Sequence, residues 1–226
     1  MGIYARKPAE KAAVMTIDIP LMLSFLAAAT VLTVIPGTDT ALMLRSVAVG
    51  GRRAAAQTGL GIIIGLLIWG LVVSLGLGAV LKASELAYEG VKWAGAAYLT
   101  YLGVLFLFRP REAMAQAEGA AKSISGSAGQ FLRKGFLTNM LNPKIGVFYI
   151  TFLPQFVPSG ASVAAYSLFL ALIHCAMTVL WFVVLTAAAL PLSHLLKKPA
   201  TVKVLDRITG CLFIAFGLRL ALSRAD

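Results

Sequence analysis

The chain has 226 residues, of which 59% are apolar and only 13% charged. A water-soluble domain carries roughly a quarter charged residues and somewhat under half apolar ones, so this composition excludes an ordinary soluble domain and, equally, a disordered chain. The net charge of +11 comes from Lys and Arg placed in short stretches between apolar runs. It therefore reads as the positive-inside pattern of a membrane protein rather than as a nucleic-acid-binding face.

Residues 1–18 form a polar N-terminal extension with Arg6, Lys7, Glu10, Lys11 and Asp18, and Met15 is an alternative start. A basic stretch, an apolar run and Ala27-Ala28-Ala29 also have the layout of a signal peptide. The uncharged run from Ile19 to Thr38 is longer than the roughly 7–15 residues of a signal core, so it is read as a retained span.

Six apolar spans follow. The first runs from Ile19 to about Leu44, is interrupted by Pro36-Gly37 and carries Asp39. The second, Ala54 to Leu81, is free of charge, and the third runs from about Leu86 to Phe108 with Glu89 and Lys92 near its start. Residues 109–134 read as a polar linker loop, with Ser123 to Ser127 of flexible composition. The fourth span, Gly135 to Leu153, is interrupted by Asn142-Pro143-Lys144, and Pro154 and Pro158 mark the next turn. The fifth, Val163 to Leu190, contains His174; the sixth, Val204 to Leu222, carries Asp206, Arg207 and Arg219 towards its ends, where they can snorkel. No two-residue alternation dominates, which argues against a transmembrane barrel. The fold class expected is all-α: a polytopic membrane protein with six transmembrane helices. Cys175 and Cys211 both lie in apolar stretches and read as small buried side chains, too few for a disulfide framework or a zinc site.

Lys and Arg set the orientation. The loop after span one has Arg45, Arg52 and Arg53; the linker has Arg109, Arg111, Lys122, Arg133 and Lys134; the loop after span five has Lys197, Lys198, Lys203 and Arg207. The loop after span two has Lys82 and Lys92 balanced by Glu85 and Glu89, and the loop after span four has no charge. The odd-numbered loops are thus expected in the cytoplasm and both termini outside, against the weaker opposing signal of Arg6, Lys7 and Lys11.

The halves resemble each other. Lys92-x-x-Gly95-x-x-Tyr98-x-x-Tyr101 in span three matches Arg207-x-x-Gly210-x-x-Phe213-x-x-Phe216 in span six, and each half opens with a proline-broken span. Three spans per repeat is an odd number, so the second copy inserts upside down: residues 19–108 and 135–226 are expected to be two inverted three-helix repeats with broken helices 1 and 4.

The breaks are where chemistry is expected. Proline removes a backbone donor and obstructs the preceding turn, and in lipid the freed carbonyls need new partners. Thr38 is placed to cap the helix that restarts after Pro36-Gly37, and Asn142 with Pro143 has the residues of an N-cap and first helical position. Pro36 lies nine residues before Arg45 and Pro143 nine after Lys134. Nine helical residues rise about 14 Å, half of a hydrocarbon core about 30 Å thick, so both breaks fall near the midplane. An ionisable side chain there costs about 2.5–3.5 kcal/mol, so Asp39 and Lys144 each need a partner, water or a function. An α-amino acid carries an ammonium, which suits Asp39, and a carboxylate, which suits Lys144 and the amides of the restarting half-helices. The substrate-binding candidates are Pro36, Gly37, Thr38, Asp39, Asn139, Asn142, Pro143 and Lys144, with Asp39 and Lys144 also the proton-coupling pair. The plainer alternative is a structural ion pair. His174 reads first as a buried, hydrogen-bonded histidine and second as a proton relay. Gly59, Gly61 and Gly65 read as packing positions, and Trp69, Trp93 and Trp181 as interface anchors or packing residues.

The sequence also resembles the LysE/RhtB family of bacterial amino-acid exporters, homoserine/threonine efflux type. The residues that carry this are Ile35-Pro36-Gly37-Thr38-Asp39, Lys92-Trp93-Ala94-Gly95-Ala96-Ala97-Tyr98-Leu99, Leu102-Gly103, Asn139-Met140-Leu141-Asn142-Pro143-Lys144 and Phe152-Leu153-Pro154-Gln155-Phe156. The family's first block usually reads Pro-Gly-Pro, where this chain has Thr38 in the third place. The resemblance implies a six-span protein of the bacterial inner membrane that exports small amino acids or derivatives by proton antiport. Its partners would be the bilayer, protons and the substrate, with a homodimer left open, no nucleic acid and no cofactor; it would not be an enzyme. The alternatives weighed against it are a metal or ion exporter, for which Asp39 is the only midplane acid, and a thiol redox relay, for which Cys175 and Cys211 lie outside the broken spans.

Overall fold

The computed structural model describes residues 17–83, 85–108, 127–189 and 198–222. The expected extension up to residue 16 and the linker segment 109–126, with Ser125, lie outside them. Among the described residues all regular structure is helical.

Helix α1 is Ile19–Val34; Asp18 caps it, its carboxylate accepting from the Leu21 amide at 2.9 Å, with Pro20 in the first turn. Helix α2 is Thr38–Ala83 and reverses at Gly51. The φ of 66° and ψ of −162° there belong to a region that only glycine adopts readily. The two arms, 38–50 and 52–83, fold back as a hairpin tied by a hydroxyl bond between Ser46 and Thr58 at 2.8 Å. Helix α3 is Glu85–Phe108 and α4 is Ala128–Met140, so Arg133 and Lys134 are helical rather than part of a loop. Helix α5, Pro143–Val147, runs on through a π turn, Phe148–Phe152, into a 3-10 turn, Leu153–Phe156. Pro154 brings no amide to that segment, so the regular ladder cannot continue and the backbone first widens, then tightens. Helix α6 is Val163–Ala187, capped by Ser162, and α7 is Pro199–Leu222; α7 starts five residues earlier than the charge pattern suggested.

Val163–Ala187 is long and apolar enough to cross a bilayer, and so by length and composition is the stretch Thr38–Gly76, which the reversal at Gly51 divides. The exterior is apolar too: Leu71, Val72, Leu75, Leu172, Leu180 and Val183 are all exposed, which is how lipid, not water, selects a surface. Cys175 is buried as expected, whereas Cys211 is exposed, because its face of α7 points out of the bundle.

Glycines set the helix directions. A Cβ on Gly61 would overlap the Leu132 carbonyl, and one on Gly135 would overlap that of Thr58. The second arm of α2 and α4 therefore run parallel, backbone against backbone. Gly59 faces Phe182 and Gly70 faces Ala171, so the same arm runs antiparallel to α6. Gly103 meets Gly210 and Ile214, while Gly217 meets Ala96 and Thr100, so α3 and α7 are antiparallel. Small residues permit this approach where no water drives helices together. The two broken segments are antiparallel as well: Phe25 packs on Phe156, Ile35 meets Lys144, Asp39 meets Asn139 and Leu42 clusters with Phe131. The core is a string of aromatic rings, with Phe148 on Phe152 at 5.0 Å and Phe152 on Phe216 at 4.3 Å. Of the matched glycines in spans three and six, Gly210 meets Gly103 at the α3–α7 contact whereas Gly95 lies closest to Thr151 of the π turn, and Phe213 is buried while Tyr98 and Tyr101 are exposed.

Candidate functional site at two helix breaks

Helix α1 ends because Pro36 has no amide to offer Leu32. Ile35 turns extended, as a residue before proline does, and its carbonyl is released. Lys144, from the other broken segment, donates its ammonium to that carbonyl at 3.1 Å. The chain restarts when the Gly37 carbonyl accepts from the Ala41 amide at 2.9 Å. Gly37 thus occupies the cap position, and Thr38, expected there, is the first helical residue and exposed. Two residues without useful side chains, Pro36 and Gly37, leave the cap to a backbone carbonyl.

The second break follows the expected chemistry. Helix α4 ends at Leu141, and Asn142 caps α5 by accepting from the Lys144 amide at 3.1 Å, with Pro143 as first helical residue. Asn139, in the last turn of α4, is fully buried and donates its side-chain amide to Asp39 at 2.8 Å. Gly65 makes room for it, since a Cβ there would come within 2.6 Å of the Asn139 side-chain oxygen. Lys144 and Asn142 are buried and Asp39 is half-buried. Asp39 Oδ1, and Asn139 Oδ1 against Gly65, are buried with no hydrogen-bond partner. The Lys144 ammonium also attracts the Asp39 carboxylate.

A cavity of about 30 Å³ lies at this junction, lined by Gly37, Asp39, Asn142 and Lys144 together with Thr33, Thr40, His174 and Thr178. Half of the eight expected residues therefore line it, and Asn139 is bonded to one of them. Thr38 is exposed, Pro36 is buried beside the break, and Pro143 serves to open α5. What sequence reasoning missed is the neighbourhood supplied by α6. His174 is buried, bonded to the Tyr149 hydroxyl at 3.1 Å through Nδ1 and to the Thr33 hydroxyl at 3.2 Å through Nε2. Thr33 spends its own proton on the Ala29 carbonyl at 2.6 Å. Its oxygen must accept from His174 Nε2–H, which leaves Nδ1 to accept from Tyr149. The neutral ring is fully satisfied, which is the plainer of the two expected readings. Helical spacing of Tyr149, Thr178 and His174 holds no signal that they would share one site with Thr33.

Trp69 packs against Gly146, while Trp93 is exposed and donates to Glu89 at 3.2 Å. Among the described residues no three His, Cys, Asp or Glu side chains cluster as a metal site.

The profile of the LysE type translocator family matches residues 30–224. A homoserine/homoserine lactone efflux protein of Salmonella typhimurium is 32% identical over 211 residues, covering 89% of this chain and 96% of its own. An uncharacterized membrane protein of Bacillus subtilis, YrhP, is 31% identical over 207 residues, covering 89% and 99%, and an uncharacterized membrane protein of Vibrio cholerae is 30% identical over 208 residues, covering 92% and 100%. No solved structure matches the chain.

Proposed function

The chain belongs to the LysE type translocator family, and from that premise we propose that it exports small amino acids or their derivatives, of homoserine, threonine or lysine type, across the bacterial inner membrane by proton antiport. It is a membrane transporter and not an enzyme. The observation that carries the substrate class is the junction of the breaks: an acid, a base and two buried amides converge where two helices stop and restart. An α-amino acid presents an ammonium to Asp39, whose Oδ1 has no partner, and a carboxylate to Lys144, which exchanges the Ile35 carbonyl for a charged acceptor. A charge-assisted bond is roughly twice as strong as a neutral one, so the exchange favours binding. A proton on Asp39 removes both its hold on the ammonium and its attraction for Lys144, which links proton entry to substrate release. The relative named for homoserine and its lactone supports a small substrate.

The helix directions support the six-span inverted repeat. Spans one and four, two and five, and three and six each pack antiparallel, as halves related by an axis in the membrane plane must. In this reading both termini are extracytoplasmic. Every residue of the site comes from one chain, so the reading is the same for a monomer and a homodimer.

The test is uptake of a panel of labelled amino acids into inverted membrane vesicles. Uptake of one or more that rises with an imposed proton gradient and collapses with an uncoupler is expected. A panel that shows no protein-dependent uptake, beside metal ions that do accumulate, would replace the amino-acid reading with that of a cation exporter.

A further inference from the structure

The junction cavity, at about 30 Å³, has room for a couple of water molecules and none for an amino acid. A second cavity of about 570 Å³, open to the bundle exterior along the exposed Ala56, Leu60, Val179 and Val183, lies between the two arms of α2 and α6, within the size range of small-molecule pockets. It extends from Arg52 and Ala187, at the end of the bundle that carries Arg45, Arg52 and Arg53, inward to Ile63 and Val179. Among the described residues one side chain lines both spaces, that of Phe182. Its ring is buried and rests in a notch left by Gly59, where a Cβ would approach Phe182 Cδ2 to 3.3 Å.

We propose that Phe182 is the gate between the two cavities: the larger one is the vestibule on the basic, cytoplasmic end, and the polar junction is reached when the ring swings aside. This rests on the proposed function for the substrate site at the junction and for the orientation of the bundle. The volumes require some wall of the junction to move before a substrate enters. Phe182 is the wall whose movement connects the small space to one already large enough, and an aromatic ring turns about two bonds without moving the backbone. The vestibule lining is apolar apart from Arg52 and Thr186, so the gate also favours amino acids with apolar or masked groups over those with charged side chains.

The experiment reads access, not transport. Thr178→Cys, on the junction side of the ring, is placed in a Cys175→Ser, Cys211→Ser background, and its reaction with a small impermeant methanethiosulfonate is timed from each membrane face. An open state populated at about 10% or less means that deleting the ring raises the rate about tenfold or more. Phe182→Ala is expected to do this from the cytoplasmic face and to leave the other face unchanged, and Phe182→Leu to fall between. Phe182→Leu decides the matter where Phe182→Ala does not accumulate in the membrane. Unchanged rates, or equal increases from both faces, would overturn the gate and leave Phe182 as packing. The assay contains no substrate, so a failed amino-acid panel and a failed gate are separate results.

Discussion

Asp39 and Lys144 come from segments about a hundred residues apart, yet each reaches across to the other's helix break. Lys144 satisfies the Ile35 carbonyl at the first break, and Asp39 is held by Asn139 in the turn before the second break. Each break is therefore repaired by the ionisable residue or neighbour of the other. Asp39→Asn keeps the shape and removes the charge; it should abolish proton-coupled export while the protein still inserts. Lys144→Ala should weaken substrate binding by about 1.5–3 kcal/mol, roughly ten- to a hundredfold in affinity, the range of a hydrogen bond to a charged group. Residues acting on one substrate are not additive, so the double variant should be little worse than either single one. Transport rates normalised to the folded protein in the membrane decide it; wild-type export by Asp39→Asn would refute the role, and loss through poor accumulation alone would leave a structural ion pair.

At the scale of elements, glycine positions do the work that a hydrophobic interface does in water. Gly61 and Gly135 let α4 lie on the second arm of α2 with no side chain between them. Gly61→Ala should destabilise the protein by about 1–3 kcal/mol, the usual range for overpacking, while Gly76→Ala, with nothing within 4 Å, should be neutral or stabilising by up to about 1 kcal/mol. Thermal denaturation of the purified variants in detergent tests the contrast; equal shifts would mean that the close approach is not what matters at Gly61. The sequence shows why some of this was legible. Proline and asparagine change the backbone locally, so both breaks and the Asn142 cap could be read from the local sequence, whereas the cap at Asp18 was missed. The cap at Gly37 was misassigned to Thr38 because a backbone carbonyl leaves no side-chain signature. The α6 residues around the cavity were missed because helical spacing states which residues share a face, not which helix that face meets.

For the whole molecule, the orientation proposed from the loop charges has a direct test. A cysteine at Ser125 in a cysteine-free background should resist an impermeant thiol reagent in intact cells and react in inverted vesicles. Labelling in intact cells would reverse the orientation and, with it, the side from which the larger cavity is filled. Under the proposed inverted repeat the halves correspond in helix direction, whereas the matched aromatics differ: Phe213 is buried and Tyr98 exposed.

The hairpin at Gly51 has a mechanical consequence. Its backbone angles leave little torsional freedom to any other residue, and the Ser46–Thr58 bond rivets the two arms of α2 a turn further on. Residues 38–83 are thus expected to move as one lever, with the fulcrum in the three-residue stretch 35–37, between the last bond of α1 at Ile35 and the first of α2 at Gly37. Lys144 clasps that fulcrum through the Ile35 carbonyl. Under the proposed function, a substrate carboxylate that draws the ammonium from the Ile35 carbonyl frees the joint about which the lever would turn. A disulfide joining Ser46→Cys to Thr58→Cys should leave export intact, because it locks a place that does not flex; export lost on oxidation and regained on reduction would move the fulcrum to Gly51.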